Sequence, residues 1–275
     1  LGDRTPSTAL RLYGEFGVLQ VWYSEIAADY TGDPRRERYF RAVDEISPER
    51  VIVRLARLLV PLAEEWETRE DEAKALLDRL KFSNDRSQRV LHLLENYRPL
   101  VGPMDSSAQI REWLARVGTE SMRDVFRLHT AGARAVGAEE KKRYLEATWR
   151  RVHEEAQKDP PLSVSDLAVG GEDILGLGVE EGPVVGVLLK ELLSRVVEDP
   201  RLNEREELLA LAERLVEEER LDEFEAWGRD REAEGEGRPP PGPGLGGPPR
   251  GDSPPEPAPG FGGSEEPDGG DGSDA

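Results

Sequence analysis

Residues 162–209 read LSVSDLAVGGEDILGLGVEEGPVVGVLLKELLSRVVEDPRLNEREELL, and this stretch decides the fold because its glycines, prolines and acidic residues recur at the spacing of short helices. Gly182-Pro183 predicts a helix start, with proline in the first helical position, where its missing N–H costs nothing. The apolar residues that follow lie three, one and four positions apart, so one face of this helix is predicted to pack inward. These residues are Val184, Val187, Leu188 and Leu192.

The ends of the stretch carry further helix signals. Gly170-Gly171 and Gly178 enclose a short apolar turn, 174–177. After a turn at Asp199-Pro200, Asn203 is predicted to cap a second helix, with Glu206 three residues on, as in a capping box. That helix should run to about residue 219.

The rest of the chain up to about residue 227 also has helical periodicity, and no sustained alternation typical of strands occurs. Pro61 is predicted to kink or shorten its helix, Gly118 to end one, and Thr119 to cap the next. A long helix is predicted over residues 139–157. We therefore expect an all-α, multi-helix bundle of nine or ten helices, in which short loops favour antiparallel neighbours.

The ordered glycine, proline and acidic positions resemble the C-terminal tail of the bacterial CCA-adding tRNA nucleotidyltransferases and their poly(A) polymerase relatives. The pattern of that family is roughly Gly-x-Asp-Leu, Gly, Gly-Pro-x-x-Gly and Asn-Glu-x-x-x-Leu. The matching positions are Gly171, Asp173, Ile174, Gly178, Gly182, Pro183, Gly186, Asn203, Glu204 and Leu208. Upstream, LLDRLKFSN (76–84), REWLARVG (111–118), DVFRLHTAGARA (124–135) and TPSTALRLYGEFGVLQVWYSEIA (5–27) resemble body and neck segments of the same family.

The resemblance implies four parts. Residues 1–27 would end the neck helices, residues 28–160 would form the helical body, and residues 161–227 the helical tail module. Residues 228–275 are rich in Pro, Gly, Ser and acidic residues and almost free of apolar ones, so we expect a disordered C-terminus.

The family's catalytic elements are not found in this sequence. Its head domain carries a Gly-Gly-x-Val-Arg-Asp element and an Asp-x-Asp pair that hold two Mg²⁺ ions, and neither element occurs here in the required context. The resemblance therefore implies the RNA-holding part of a nucleotidyltransferase without its head. We expect no catalytic residue and no cofactor in this chain, with Mg²⁺ and the nucleotides bound only by the missing head.

The composition sets further limits. Cysteine is absent, which excludes disulfides and thiolate metal sites and suits a cytoplasmic location. No apolar run approaches the roughly 18 residues needed to span a bilayer, so no membrane association is expected. The three histidines are scattered, and Val60-Pro61 stands where some relatives carry a His-Asp pair, so no metal site is predicted.

The net charge of −20 means that any RNA-binding surface must be local. Three basic groups are candidates, although each is also typical of a solvated helix face balanced by acidic neighbours. They are Arg35, Arg36 and Arg38; Arg79, Lys81, Arg86 and Arg89; and Lys141, Lys142, Arg143, Arg150 and Arg151. The predicted RNA contacts are Arg79, Lys81, Arg86, Lys142, Arg143 and Lys190, with Gly182 and Pro183 bringing backbone close to the RNA.

Two functions follow. In the first, the chain is the tRNA-binding region of a nucleotidyltransferase that acts in CCA addition and RNA processing, and its Lys and Arg side chains contact phosphates. In the second, it is a non-catalytic helical scaffold that binds a protein partner, with the acidic C-terminal segment as a tether.

Overall fold

A computed structural model describes residues 1–30, 36–97, 104 and 106–217. These residues form 14 α-helices and two 3₁₀ turns, and no strand occurs among them. The predicted all-α class is confirmed, while the predicted disordered segment, 228–275, lies outside the described residues. In chain order the helices are α1 (Pro6–Glu15), α2 (Val18–Trp22), α3 (Ser24–Tyr30), α4 (Arg36–Asp44), α5 (Val51–Leu58), α6 (Val60–Glu64), α7 (Trp66–Arg79), α8 (Asn84–Glu95), α9 (Ser107–Val117), α10 (Met122–Ala135), α11 (Glu139–Ala156), α12 (Gly171–Leu175), α13 (Pro183–Glu198) and α14 (Arg205–Glu217), with 3₁₀ turns at Val164–Asp166 and Pro200–Leu202.

The helices form two compact units. Of the described residues, the first unit contains those within Leu1–Val101 and Glu120–Arg150, and the second contains those within Gly102–Thr119 and from Arg151 onward. Helix α9 therefore belongs to the second unit together with α12, α13 and α14. The boundaries between the four predicted parts of the chain, after residues 27, 160 and 227, stay a prediction.

In the first unit, α10 packs against α4 and α5, and α5 packs against α8. Helix α5 is buried from Val53 to its end, and the buried residues include the two arginines Arg54 and Arg57 as well as apolar ones. It ends at Leu58, and α6 begins at Val60 with Pro61 in its first turn, so the predicted effect of Pro61 is confirmed.

The described residues contain more helices than the nine or ten predicted, because local backbone breaks divide long apolar stretches. Gly17 has a φ of 73°, which separates α1 from α2. Breaks at Leu59 and Glu65 divide a further stretch into α5, α6 and α7. The predicted cap at Thr119 is wrong, since α10 begins at Met122 and its N-cap residue is Ser121.

The second unit is built around α13. Its buried face packs against α12 and α14, with Ile174 and Leu208 fully buried beside it. The predicted inward residues Val187, Leu188 and Leu192 are buried, and Val184 is half-buried. Gly178, with a φ of 85°, ends the turn that follows α12.

Asn203 does not form the predicted capping box. Helix α14 begins at Arg205, so Glu206 is its second residue. The Asn203 side chain instead accepts a hydrogen bond from the Ala168 N–H and donates one to the Asp166 carbonyl oxygen, both at 2.8 Å. A side-chain amide can both accept and donate, and Asn203 uses both functions to hold the loop before α12.

The length and the apolar composition of a helix decide whether it can span a membrane. In the described part of the chain, no helix combines the length and the apolar composition that a membrane span needs.

Candidate nucleic-acid interface

Three of the predicted RNA contacts lie at the junction of α7 and α8. Arg79 is the last residue of α7, Lys81 lies in the connecting turn with a φ of 53°, and Arg86 is in the first turn of α8. Lys81 and Arg86 are exposed, and neither forms an ion pair or side-chain hydrogen bond within the described residues. Both are therefore available to a phosphate.

Arg79 is engaged within the chain. Its guanidinium donates hydrogen bonds to both carboxylate oxygens of Glu25, at 2.6 and 2.5 Å, and one to the Trp22 carbonyl oxygen, at 3.0 Å. The hydrogen bonds from Arg79 lower the pKa of Glu25, so this carboxylate remains charged at neutral pH. Arg79 would have to exchange Glu25 for a phosphate in order to contact RNA.

The next predicted pair, Lys142 and Arg143, lies near the start of α11. Lys142 donates a hydrogen bond to Glu139 at 2.6 Å, which reduces its attraction for a phosphate. Arg143 is exposed, and within the described residues it forms no ion pair. In the first predicted basic group, Arg35 lies outside the described residues.

The remaining predicted contacts lie on α13 in the second unit. Gly182 and Pro183 are exposed at its start, and Lys190 is exposed two turns later. A Cβ added at Gly182 or at Gly186, one turn on, would meet nothing within 4 Å beyond the local helix backbone. The φ of Gly182 is 165°, which is extended backbone, and Gly186 lies inside the helix, so neither backbone conformation nor internal packing requires glycine there.

A group of arginines that was not predicted surrounds one buried carboxylate in the first unit. Asp124, on α10, is 3% exposed. It accepts hydrogen bonds from Arg89 at 2.8 Å and from Arg127 at 2.7 Å, and Arg50 lies 3.9 Å away. We call Arg50, Arg89, Arg123, Arg127 and Asp124 the arginine cluster.

The arginine cluster has a positive excess of charge. Burial lowers the pKa of Arg123, and the nearby charges of Arg127 and Arg50 lower it further. Burial likewise lowers the pKa of Arg127, and Arg50 adds to that effect. Three guanidinium groups thus lie 2.7–3.9 Å from one carboxylate, and the charge of Arg123 acts close by. The side chains of Arg89 and Arg50 are still 57% and 39% exposed. Such a cluster is suited to bind an oxyanion in a bidentate manner.

Packing brings these arginines together from distant parts of the sequence. Arg50 precedes α5, Arg89 lies on α8, and Arg123 and Arg127 lie one turn apart on α10. The predicted contact Arg86 precedes Arg89 by three residues and so lies on the same side of α8. The spacing Arg123-Asp124-x-x-Arg127 was the only local signal for the cluster.

No group of three or more His, Asp or Glu side chains among the described residues could hold a metal ion.

Comparison with known proteins identifies the family. The model of the family described as tRNA nucleotidyltransferase domain 2 matches residues 58–212, which is more than half of the 275-residue chain. No curated protein and no solved structure matches the chain. The matched range includes α7 to α13 and most of the residues of the arginine cluster. The chain therefore belongs to the tRNA nucleotidyltransferase domain 2 family.

Proposed function

We propose that this chain binds tRNA and that the arginine cluster is the centre of its contact with the phosphate backbone. The observation that carries the proposal is the placement of Arg50, Arg89, Arg123 and Arg127 around the single carboxylate of Asp124. Membership of a family named for tRNA nucleotidyltransferases supports tRNA as the nucleic acid.

The charge distribution supports this assignment. With a net charge of −20, the chain as a whole repels RNA, so binding requires a local surplus of cations. The arginine cluster provides that surplus, and Asp124 fixes two of its guanidinium groups through hydrogen bonds. Fixed guanidinium groups lose less conformational entropy when a phosphate binds.

The exposed lysines and arginines near α8 and α11 would extend the contact. Arg86 lies on the same side of α8 as Arg89, and Lys81 and Arg143 have exposed, unpaired side chains within the described residues. Contacts of this type position an RNA duplex without reading its sequence. The proposal therefore includes recognition of tRNA by shape and charge.

A charge-reversal experiment tests the role of the cluster. Arg89→Glu should weaken tRNA binding, measured by fluorescence anisotropy, by more than tenfold, because it removes one cation and adds an anion beside the phosphates. The matched control is Arg214→Glu, which changes the charge equally at an exposed position on α14. Equal loss of affinity in both variants would show a general charge effect and contradict the role of the cluster.

The proposal assigns no catalysis to the described residues. Addition of CCA to tRNA would require the head domain and its Mg²⁺ ions, which the family resemblance implies. Since tRNA is the proposed ligand, the proposal also includes a cytoplasmic location.

Exposed apolar side chains favour a second function, protein binding. Between α1 and α2, Phe16 is 78% exposed, and on α2 Val21 is 74% exposed and Trp22 is 61% exposed. Neighbouring large apolar side chains with this exposure commonly mark interaction surfaces. A Phe16→Ser/Trp22→Ser variant that retains tRNA binding but loses a co-purifying protein would support this function.

A further inference from the structure

A pocket of about 450 Å³ opens in the first unit, and it shares no residue with the arginine cluster. Trp66 and Tyr97 provide aromatic walls, and His129 and Lys141 provide nitrogen donors. The other side of the pocket is the α6–α7 junction, 63–68, with the carboxylates of Glu64, Glu65 and Glu67. The pocket is therefore large enough for a small molecule and polar on two sides.

Several buried polar atoms of the first unit lack a hydrogen-bond partner. They are Nε and Nη1 of Arg57, Nε2 of His129 and Oγ1 of Thr130. The three residues are 4%, 3% and 2% exposed. Buried polar atoms in native proteins are nearly always paired, so atoms of this kind suggest a partner that is not part of the chain. Of the three residues, His129 lines the pocket itself.

The charges around His129 favour an anion as that partner. Arg57 and Lys141 both form no ion pair within the described residues, although Arg57 is buried. Burial lowers the pKa of Lys141, and the charges of Arg57 and Arg38 lower it further, against the opposing effect of Glu64. Cations therefore dominate the field at Lys141. The carboxylate of Glu64 already accepts hydrogen bonds from the Tyr39 hydroxyl, at 3.0 and 3.2 Å.

Aromatic stacking fixes the position of the buried guanidinium. Arg57 lies over the rings of Tyr39 and Tyr97, at 5.6 and 6.0 Å from their centroids. The Tyr97 ring stacks on the His129 ring with centroids 4.5 Å apart and an interplanar angle of 7°. A Cβ at Gly132 would lie 3.0 Å from Nη2 of Arg57, so glycine leaves the space that the guanidinium occupies.

We propose that this pocket binds a single phosphate group, either as inorganic phosphate or as a small phosphate monoester. Phosphate oxygens accept hydrogen bonds from Lys141 and from the Nε2–H tautomer of His129, and the charge of the nearby Arg57 guanidinium attracts the anion. Glu65 and Glu67 also line the pocket, so a longer polyanion such as a polyphosphate or an RNA strand would meet stronger repulsion there than a single phosphate. This proposal does not rest on RNA binding.

Isothermal titration of the whole chain with inorganic phosphate and, separately, with ribose 5-phosphate tests the site. Chloride added to every solution keeps the ionic strength constant, so that the measured heat comes from binding of the phosphate group. We expect saturable binding of one phosphate compound per chain, which weakens by about tenfold or more in Lys141→Gln. The adjacent Lys142→Gln is the matched control and should bind as the unmodified chain does, because Lys142 pairs with Glu139.

Gly132→Ala provides a second variant, since replacement of the buried Arg57 risks misfolding. Its methyl group would lie 3.0 Å from Nη2 of Arg57, so the guanidinium must shift slightly, and the affinity should fall by less than in Lys141→Gln. Tighter binding of ribose 5-phosphate than of inorganic phosphate would identify a monoester as the ligand, and the reverse order would identify free phosphate. Failure of both compounds to bind saturably, or unchanged affinity in Lys141→Gln, would overturn the proposal.

Discussion

Arg111 and Glu155 form a buried ion pair that joins α9 to the end of α11, with the Arg111 Nη1 and a Glu155 oxygen 2.7 Å apart. Arg111 also donates hydrogen bonds to the carbonyl oxygens of Val197 and Glu198, each at 2.6 Å. These carbonyl groups belong to the last turn of α13, where no intrahelical N–H remains to pair with them. A single guanidinium thus connects three helices of the second unit.

Replacement of Arg111 should strongly destabilise the second unit. Arg111→Met leaves the carboxylate of Glu155 without its buried partner and leaves two carbonyl groups of α13 unpaired. We expect the free energy of unfolding, measured by urea denaturation, to fall by about 3–5 kcal/mol.

The matched control for this change is Lys158→Met. Lys158 also contacts Glu155, at 2.5 Å, but its side chain is 64% exposed. Its replacement should cost less than about 1 kcal/mol. If Lys158→Met destabilised the chain as much as Arg111→Met, the assigned role of Arg111 would be wrong.

The stability of the first unit should depend on pH through His129. Burial lowers the pKa of His129 to about 3 in the folded chain, whereas an unfolded histidine has a pKa of about 6.5. Between these values the unfolded chain binds a proton that the folded chain does not, so the free energy of unfolding falls as the pH decreases from about 6.5.

A histidine variant checks this pH dependence. His129→Gln should remove much of the loss of stability between about pH 6.5 and pH 4.5, measured by thermal unfolding over that range. His92→Gln provides the comparison, since His92 is only half-buried. An unchanged pH profile in His129→Gln would contradict the prediction.

Asn203 should be more important for stability than its position in a short turn suggests. Asn203→Ala removes both hydrogen bonds to the loop at Asp166 and Ala168, at an expected cost of about 1–3 kcal/mol in chemical denaturation. Asn203→Asp keeps the acceptor for the Ala168 N–H, so its cost should be smaller. A larger loss in the aspartate variant would indicate that the acceptor is not the important group.

Gly186 should reveal a conflict between stability and RNA binding. A glycine inside a helix is destabilising by about 1 kcal/mol relative to alanine, and a Cβ here meets no neighbour. Gly186→Ala should therefore stabilise the chain by about that amount, yet weaken tRNA binding if RNA approaches the backbone of α13.

Ser194→Ala is the control for Gly186→Ala, because Ser194 is exposed on the same helix. It should leave tRNA binding unchanged. Stabilisation without any loss of tRNA affinity in Gly186→Ala would contradict the predicted RNA contacts on α13.

Local signals in the sequence predicted the helices well. Pro61 and Gly118 mark helix ends because their effects on the backbone do not depend on distant residues, and α13 begins at Pro183 as predicted. The buried face of α13 follows directly from its apolar spacing. The break at Glu65 has no such signal, and it was not predicted.

Side-chain partners were predicted less well. Asn203 has the chemistry of a helix cap, but its amide bonds to a loop 35 residues earlier in the sequence. Arg79 is one of a run of basic residues, and only packing places it beside Glu25. Periodicity and composition contain no information about which distant side chains meet.

The arginine cluster shows the same limit at the candidate site. Arg50 and Asp124 are 74 residues apart in the sequence, and their proximity results from the packing of α5 and α10. The basic group that contained Arg89 was predicted, but its partners on α10 were not. Likewise, the sequence could not reveal that Arg57 is buried without a carboxylate partner.

The dissociation constant of the chain for tRNA, measured at about 50 and 200 mM salt, tests the proposed function most directly. If arginines and lysines of the chain displace the counterions of four phosphates, affinity should fall by about a hundredfold between the two conditions. Saturable binding at the lower salt with that decrease is the predicted result. Absence of saturable binding at 50 mM salt would contradict the proposed tRNA-binding function.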